Sequence, residues 1–490
     1  MKNQDHQSQR RRKDRLNAHQ DAKTGHARRR VRVERKRREM PSSPAYITRQ
    51  IPFYEMLDED ALTKLEHQAF WLIENIGVEF REDPIALEIW KKAGAEINDT
   101  RVRADRALVR ELCAKAPSRF TQHAYNPKKS VEIGGKHQIY AAVFGPPFVS
   151  DLKGGRRYGT LDDLERLVKL TYQLDHLHHG GLVICEPCDI PVSKRHLDML
   201  LLHMTKSDKP HLGAITKMER AEDSIAMAKI LYGEKDFEQK CVIMGNVNTN
   251  SPLMVDRVVS EAARVYCGAG QGLIAAPFIL GNFLSSMNLR SGAPTFGMPE
   301  PMISNLVIGQ LARRLKIPLR CGGSLTSSKL PDAQAASESA DSMFSTSLSG
   351  AHFILHAAGW LEGGLCTSYE KLVLDADRLG VYAKFLQGLD TSDNGLGKTA
   401  YEDVEPAGHF LGSQHTLANY ETAYYESALS NHDSFEQWSE QGSWDSAKRA
   451  YQRWNKMLEE YQPPNVPQDK IEALNAYVNR RKRELPDMWY

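Results

Sequence analysis

The stretch that decides the fold covers residues 317–364. It opens with IPLRCGGSLTSSKLPDAQ (residues 317–334) and ends with HFILHAAGWLEGG (residues 352–364). A short apolar strand at 317–321 leads into a loop of small polar residues, and a helix that begins at 331–334 leads to a second strand at 352–355. Strand, polar loop and helix form the repeating unit of a parallel α/β barrel, whose active site lies in the loops after the strands. The stretch therefore predicts one rim of an active site.

Similar apolar runs recur upstream, with helical spacing between them, which favours a TIM-type (β/α) barrel. We expect strands at residues 138–144, 182–185, 211–215, 242–246, 273–279, 317–321 and 352–355. That is one strand fewer than the eight of a standard barrel. The hydrophobic pattern before and after these runs predicts a helical cap over 46–135, the barrel over 136–370 and a C-terminal helical region over 371–490.

The charge is divided unevenly along the chain. Residues 1–40 contain fifteen Lys or Arg and five Asp or Glu, a net charge of +10, whereas the whole chain of 490 residues carries +2. A basic segment with so few apolar residues cannot bury enough surface to fold, so we expect residues 1–45 to form a disordered tail. No stretch has the apolar core of a secretory signal or a membrane span, and seven cysteines are too sparse for a disulfide framework. These features predict a cytoplasmic protein.

The rim motif resembles a segment of the trimethylamine methyltransferase family, in which glycine and serine precede pyrrolysine and a Lys-apolar-Pro-Asp sequence follows. Here Gly323 and Ser324 precede Leu325, which occupies the pyrrolysine position, and residues 329–332 read KLPD. Further matches extend the resemblance from about residue 48 to the C-terminus, at residues 145–148 (GPPF), 250–252 (NSP), 291–294 (SGAP) and 408–416 (GHFLGSQHT).

Members of that family move a methyl group from a methylated amine to the cobalt of a corrinoid protein. The resemblance therefore implies a corrinoid cofactor (cob(I)alamin or methylcobalamin) carried by a separate corrinoid-binding protein, no metal bound by the chain itself, and association into homo-oligomers. With Leu325 in place of pyrrolysine, it implies a substrate that is already a quaternary amine, such as glycine betaine, proline betaine, carnitine or γ-butyrobetaine.

The resemblance also indicates that one barrel unit is missing. In relatives, the run that matches residues 275–280 is followed by a helix and another strand before the segment that matches residues 283–297. Here the two segments are joined directly, so a βα unit of about 30 residues is absent near residue 281. Either a seven-stranded or distorted barrel is tolerated, or the chain is inactive.

The candidate substrate-binding residues lie at predicted strand ends or in the loops beyond them. A quaternary ammonium ion binds the faces of aromatic rings, and the alternative for each ring is to pack the rim of the barrel. A carboxylate would balance the ammonium charge or accept hydrogen bonds from the glycine-rich turn. The candidates are Phe144, Phe148, Trp360, Glu362, Tyr369 and Leu325.

His356 is the candidate catalytic residue, because it is a polar group at the end of the last predicted strand, where the family has its active site. An imidazole there can donate to a betaine carboxylate or orient the amine. A buried histidine bonded to a backbone carbonyl is the alternative. Asn246, Asn248 and Asn250 alternate beyond another strand end and would supply amide groups to the floor of the pocket, or serve as ordinary loop residues.

Two other functions compete with methyl transfer. An inactive member of the family would bind a ligand or partner without turnover, because a barrel unit is missing. Nucleic-acid binding by the basic tail is the second, since its lysines and arginines would neutralise phosphates. The tail has no groove-reading motif, so we expect at most an accessory role for it.

Overall fold

The apolar runs form parallel strands in the computed structural model, which describes residues 44–249, 252–274 and 280–489. The strands that build the site are β1 (His137–Ala142), β2 (His211–Gly213), β3 (Ile243–Asn246), β4 (Gly272–Ile274), β5 (Leu280–Gly281), β6 (Leu319–Gly322) and β7 (Phe353–Ala358). All except β5 are nearly or fully buried, as expected for parallel strands covered by helices on their outer face.

The parallel strands pair in two groups. One group has the order β5, β6, β7, β1, and the other has the order β2, β3, β4. An extended segment links the two groups: Ala141 in β1 forms a parallel bridge with His179, and the Leu212 amide in β2 donates to the carbonyl oxygen of Gly181 over 2.8 Å. The strands and their connecting helices make a mixed α/β fold.

The N-terminal layer contains three helices, and an aspartate caps each of them. Asp58, Asp83 and Asp105 accept backbone N–H groups in the first turns of α1 (Glu59–Trp71), α2 (Pro84–Ala93) and α3 (Arg106–Ala114). The layer also contains short strands, which the expected helical cap did not include: Val78–Arg81, Glu96–Asn98 and Arg101–Arg103 pair with one another and with Met254–Asp256. Strands of three or four residues are too short to give a clear period-2 pattern.

Helices connect the parallel strands. Between β1 and β4 lie α4 (Leu161–Gln173), α5 (Arg195–Lys206), α6 (Met218–Tyr232), α7 (Glu234–Gln239) and α8 (Arg257–Gly268). Between β5 and the C-terminal region lie α9 (Pro299–Leu315), α10 (Ala333–Ser349) and α11 (Tyr369–Leu386). The side chain of Asp332 caps α10 at the point where the sequence predicted a helix start.

One predicted strand is wrong. Residues 182–185 form bends, and the strand-like pairing falls earlier, at His179 and Gly181. The apolar pattern missed this segment because two of its residues, His178 and His179, are buried polar side chains. The predicted strand at 273–279 is described only in part, since residues 275–279 lie outside the described residues.

The C-terminal region consists of short and long helices. These are α12 (Lys398–Asp403), α13 (Gln414–Asn419), α14 (Phe435–Glu440), α15 (Ser446–Glu459) and α16 (Gln468–Glu484). Trp454 of α15 stacks on Tyr369 at the start of α11, with ring centroids 4.7 Å apart. None of the helices among the described residues is long and apolar enough to cross a membrane.

The chain divides into two units, Met1–Pro44 and Ala45–Tyr490. Everything above belongs to the second unit. The predicted basic tail, residues 1–45, lies outside the described residues except for its last two positions.

Candidate active site

A cavity of about 450 Å³ opens at the carboxyl ends of β3, β5, β6 and β7. This edge is where parallel α/β sheets hold their ligands, and the volume suits a small molecule. The residues that line it are Phe144, Asn246, Val247, Asn248, Thr249, Gly281, Phe283, Arg320, His356 and Trp360.

His356 reaches the cavity because β7 bulges at this residue. Ile354 pairs with Tyr140 of β1, but the next pair is Ala358 with Ala142, so three residues of β7 oppose one of β1. Such a bulge redirects side chains and is frequent beside active sites. His356 takes a left-handed backbone conformation there, with φ of 57°, which non-glycine residues seldom adopt. The imidazole lies in the cavity wall and is 4% exposed.

The hydrogen bonds of His356 fix which nitrogen carries the proton. The backbone N–H of Phe144 donates to Nδ1 over 3.2 Å, so Nδ1 is an acceptor. Burial and the nearby Arg320 guanidinium hold the pKa of His356 well below its usual value, so the imidazole is neutral. A neutral imidazole whose Nδ1 accepts has its proton on Nε2. His356 therefore presents an N–H donor at Nε2.

Arg320 places a second donor beside the first. Its Nη2 lies 3.4 Å from His356 Nε2, and because both atoms are donors, one acceptor placed between them would satisfy both. Arg320 is 4% exposed, its Nε has no hydrogen-bond partner, and it forms no ion pair with any acidic residue of the described ranges. Burial lowers its pKa to about 10, so it stays charged at neutral pH. The site therefore holds a buried cation that lies over the ring of Phe283 but contacts no carboxylate of the described residues, and an anionic group would neutralise it.

Aromatic rings lie beside His356 and Arg320 in the wall of the cavity. The Trp360 ring lies 4.5 Å from the imidazole of His356 and 5.8 Å from the ring of Phe283, measured between centroids. A hydrogen bond of 3.1 Å from Trp360 Nε1 to the Thr326 carbonyl oxygen fixes the indole. Phe283 is 46% exposed and stands at the mouth, while Phe144 is half-buried. Such faces are suited to a quaternary ammonium ion.

Asn246 and Asn248 contribute amide groups, as the sequence suggested. Asn246 is 2% exposed and its Oδ1 has no hydrogen-bond partner within the described ranges, whereas Asn248 is exposed at the mouth. Asn250 lies outside the described residues. A buried amide oxygen without a donor among the described residues is unusual, so Asn246 Oδ1 offers an acceptor in the wall of the cavity.

The family model described as trimethylamine methyltransferase matches residues 23–281 and 275–486. The chain belongs to the trimethylamine methyltransferase family. The predicted family and enzyme class are thus confirmed.

Two curated relatives and one solved structure illustrate the similarity. A glycine betaine methyltransferase of Desulfitobacterium hafniense (strain Y51) is 32% identical over 474 residues, an alignment that covers 89% of this chain and 98% of the relative. An L-carnitine:corrinoid methyltransferase of Eubacterium limosum is 24% identical, covering 88% of this chain and 97% of the relative. The crystal structure of a hydroxylamine complex of MtmB matches with a TM-score of 0.39 and 11% identity, covering 84% of this chain and 89% of that one.

Of the site residues predicted for a trimethylamine methyltransferase, the structure brings His356, Phe144 and Trp360 into the cavity. Arg320 and Phe283 were not predicted. Arg320 could have been predicted from the sequence, because it is a charged residue between Leu319 and Cys321 in an otherwise apolar strand. Phe283 gave no signal of its own.

The other four predicted residues lie outside the cavity lining. Phe148 packs against Tyr158, with ring centroids 4.6 Å apart, and Glu362 accepts two hydrogen bonds from Arg156, of 2.7 and 3.1 Å. The hydroxyl of Tyr369 donates to Asp163 over 2.8 Å. Leu325 is 4% exposed and packs against Gly322 at the end of β6, where a Cβ on the glycine would come within 2.7 Å of it.

Proposed function

We propose that this protein transfers a methyl group from a zwitterionic quaternary amine, with glycine betaine as the best candidate, to the cobalt of a corrinoid carried by a partner protein. The observation that carries the proposal is the pair of adjacent donors, Arg320 and His356 Nε2, beside aromatic rings in one small cavity. A betaine has the two matching groups, a carboxylate and a quaternary ammonium, on one short chain.

The carboxylate would accept from both donors. Its hydrogen bonds to a guanidinium are charge-assisted and about twice as strong as neutral ones. The trimethylammonium group would then lie against Trp360 and Phe283, where each ring contributes roughly 0.5 to 2 kcal/mol depending on desolvation. The 32% identical relative is named for glycine betaine, which agrees with this assignment.

Trimethylamine is a poorer fit to the same cavity. It has no carboxylate, so its binding would leave the Arg320 guanidinium without an anion. A site built around hydrogen bonds to one substrate group rejects analogues that lack it, by factors of roughly 10⁴. Leu325 at the pyrrolysine position points to the same preference for a quaternary substrate.

The chemistry asks little of the chain beyond positioning. The carbon–nitrogen bond breaks with its electron pair left on nitrogen, while the electron pair of cobalt(I) forms the new bond to the methyl group, and no proton moves. The chain therefore orients the substrate and excludes water from it. The corrinoid acts as a second substrate that approaches from the mouth, because a cavity of about 450 Å³ is of the size that holds small ligands only.

We infer further that the barrel closes with one unit fewer than usual. β4 (Gly272–Ile274) pairs with β3, and β5 (Leu280–Gly281) pairs with β6. The short part of the chain from residue 272 to residue 281 therefore pairs with one group of strands at its start and with the other group at its end. The family model matches in two segments that overlap at residues 275–281. The alignment with the glycine betaine methyltransferase has 474 positions but includes only 89% of the 490 residues of this chain, about 436. About 38 positions of the alignment therefore have no residue in this chain. Both facts favour the missing unit.

The proposed closure favours an active enzyme over the inactive alternative. The cavity has lining residues from β3, β5, β6 and β7, from the loops after β3, β5 and β7, and from the loop after β1, so it is walled on both sides of the missing unit. We place the reaction in the cytoplasm, where the seven cysteines, all free thiols, would stay reduced. Assembly into homo-oligomers stays a prediction.

The test is methylcobalamin formation, followed by visible absorbance, with purified protein, free cob(I)alamin and a panel of glycine betaine, proline betaine, carnitine, γ-butyrobetaine and trimethylamine. We expect turnover with a betaine and none with trimethylamine. Betaine binding by calorimetry without turnover would instead establish the inactive member. A folded protein that neither binds nor demethylates any of the five compounds would refute the proposal.

A further inference from the structure

A buried ion pair lies behind the proposed active site, outside its lining. Lys371 and Asp375, one turn apart on α11, contact each other through Nζ and Oδ1, with only 3% and 10% of their side chains exposed. They also form part of the wall of a larger cavity of about 590 Å³ between α10, α11 and residues 429–449. Buried ion pairs seldom add stability compared with apolar residues of similar size. We therefore expect Lys371 and Asp375 to have a role other than stability.

The pair holds the backbone that carries Trp360. Oδ2 of Asp375 accepts the N–H of Gly359 over 2.9 Å. Gly359 has φ of 93°, a conformation that favours glycine, and joins the end of β7 to Trp360. One carboxylate thus fixes the turn between His356 and Trp360, the two rings that meet in the cavity.

The same pair reaches the loop after β6. Nζ of Lys371 donates to Ser339 Oγ over 2.9 Å, and Ser339 Oγ donates to the Ser324 carbonyl oxygen over 3.1 Å. Ser324 in turn donates through its hydroxyl to the Ala357 carbonyl oxygen over 2.7 Å. A continuous chain of hydrogen bonds therefore connects the loop that follows Arg320 with the strand end that carries His356.

We propose that Asp375, with Lys371 as its counter-ion, is a positioning residue for methyl transfer: its carboxylate holds the Trp360 turn in register with the loop after Arg320. The donors for the substrate carboxylate and the aromatic faces then meet one substrate. This inference rests on the proposed function. Neither residue lines the cavity of the proposed active site, so neither touches the substrate. The contact that matters most for positioning is the hydrogen bond from the Gly359 N–H to Asp375 Oδ2.

Two double variants separate positioning from structural support. Lys371→Met with Asp375→Asn removes both charges but keeps an amide oxygen as acceptor for Gly359. Lys371→Met with Asp375→Leu removes the acceptor as well, and leaves a buried N–H unpaired. We expect the Leu variant to lose at least about tenfold in kcat/KM for glycine betaine. The Asn variant should stay within about threefold of the wild type.

The readouts are transfer to free cob(I)alamin and, separately, the calorimetric Kd for glycine betaine. A control with Glu111→Leu and Lys115→Met removes an exposed ion pair of the same spacing and should change neither quantity. Ser339→Ala, which breaks the link to the β6 loop with a small change in volume, provides a second test if the Leu variant does not fold. It should lower kcat/KM several-fold.

The outcomes separate this inference from the proposed function. If the wild type neither binds nor demethylates a betaine, the proposed function fails and this inference fails with it. If the wild type is active and the Leu and Ser339→Ala variants match it in both readouts, only the positioning role is refuted. Equal losses in the Asn and Leu variants would also refute it, because the Gly359 acceptor would then be irrelevant.

Discussion

Replacing Arg320 with methionine separates the two halves of the proposed binding site. The substitution keeps an apolar stem of similar length in β6 and removes a guanidinium that is 4% exposed and has no acidic partner within the described ranges. It leaves the aromatic faces of Trp360 and Phe283 in place. Binding of a carboxylate should therefore suffer, while binding of a simple ammonium ion should not.

The expected magnitude follows from the burial of the group. Removing one partner of a buried, hydrogen-bonded charge pair costs about 2 to 5 kcal/mol, so the affinity for glycine betaine should fall at least about 30-fold. The ligand-free protein should respond in the opposite direction. Because an uncompensated buried charge is unfavourable, Arg320→Met should leave the free energy of unfolding unchanged or raise it by about 1 kcal/mol or more.

Isothermal titration calorimetry with glycine betaine and with tetramethylammonium, which has no carboxylate, measures both effects. The matched control is Arg449→Met, since the hydrogen bonds that Arg449 makes to described residues go to the backbone carbonyls of Leu429 and Trp444, and Arg449 lies outside the proposed site. Unchanged affinity for glycine betaine in Arg320→Met would refute the assignment of the carboxylate. So would an equal loss for tetramethylammonium.

Three further predictions follow from the geometry. His356→Asn keeps a residue type that tolerates the left-handed backbone but removes the Nε2 donor. The kcat/KM for glycine betaine should fall more than tenfold, while the unfolding temperature stays near that of the wild type. Full activity would exclude a role for His356 in methyl transfer. Trp360→Leu should weaken glycine betaine and tetramethylammonium alike, by about 0.5 to 2 kcal/mol, in calorimetry; a loss confined to glycine betaine would contradict the aromatic role. Burial lowers the pKa of His178 and His211 to about 3 and of His203 to about 4, so they stay neutral in the folded protein while the unfolded chain takes up protons below about pH 6.5. Urea unfolding should therefore show stability falling from pH 7 to pH 5, by up to about 1.4 kcal/mol per pH unit for each histidine, and a constant stability would show that these histidines do not remain neutral.

The sequence predicted the residues at the strand ends better than those further along the chain. His356 and Trp360 flank the end of β7, and Phe144 follows the end of β1, so the rule that parallel strands carry their site at the carboxyl end was enough to find them. Phe148 and Tyr369 lie further along the chain. Phe148 belongs to the strand Phe148–Asp151, which pairs outside the parallel sheet, and Tyr369 begins α11. Their direction depends on packing that a strand pattern does not encode.

Arg320 illustrates a different limit of sequence reasoning. That it lies in a strand was predictable from its apolar neighbours, Leu319 and Cys321. Its lack of an acidic partner among the described residues was not predictable. Ion pairs form between residues distant in sequence, and only the folded chain fixes which acids lie within reach. The predicted strand at 182–185 failed for a related reason: His178 and His179, which look like loop residues, are buried and bonded to the backbone of their neighbours.

A crystal structure of the protein with glycine betaine would test the central claim most directly. The account predicts the substrate in the cavity with its carboxylate oxygens about 2.7 to 3.2 Å from the Arg320 guanidinium and from His356 Nε2. The trimethylammonium group should lie against Trp360 and Phe283. A carboxylate turned towards Asn248 at the mouth, or an empty cavity at saturating glycine betaine, would contradict the account.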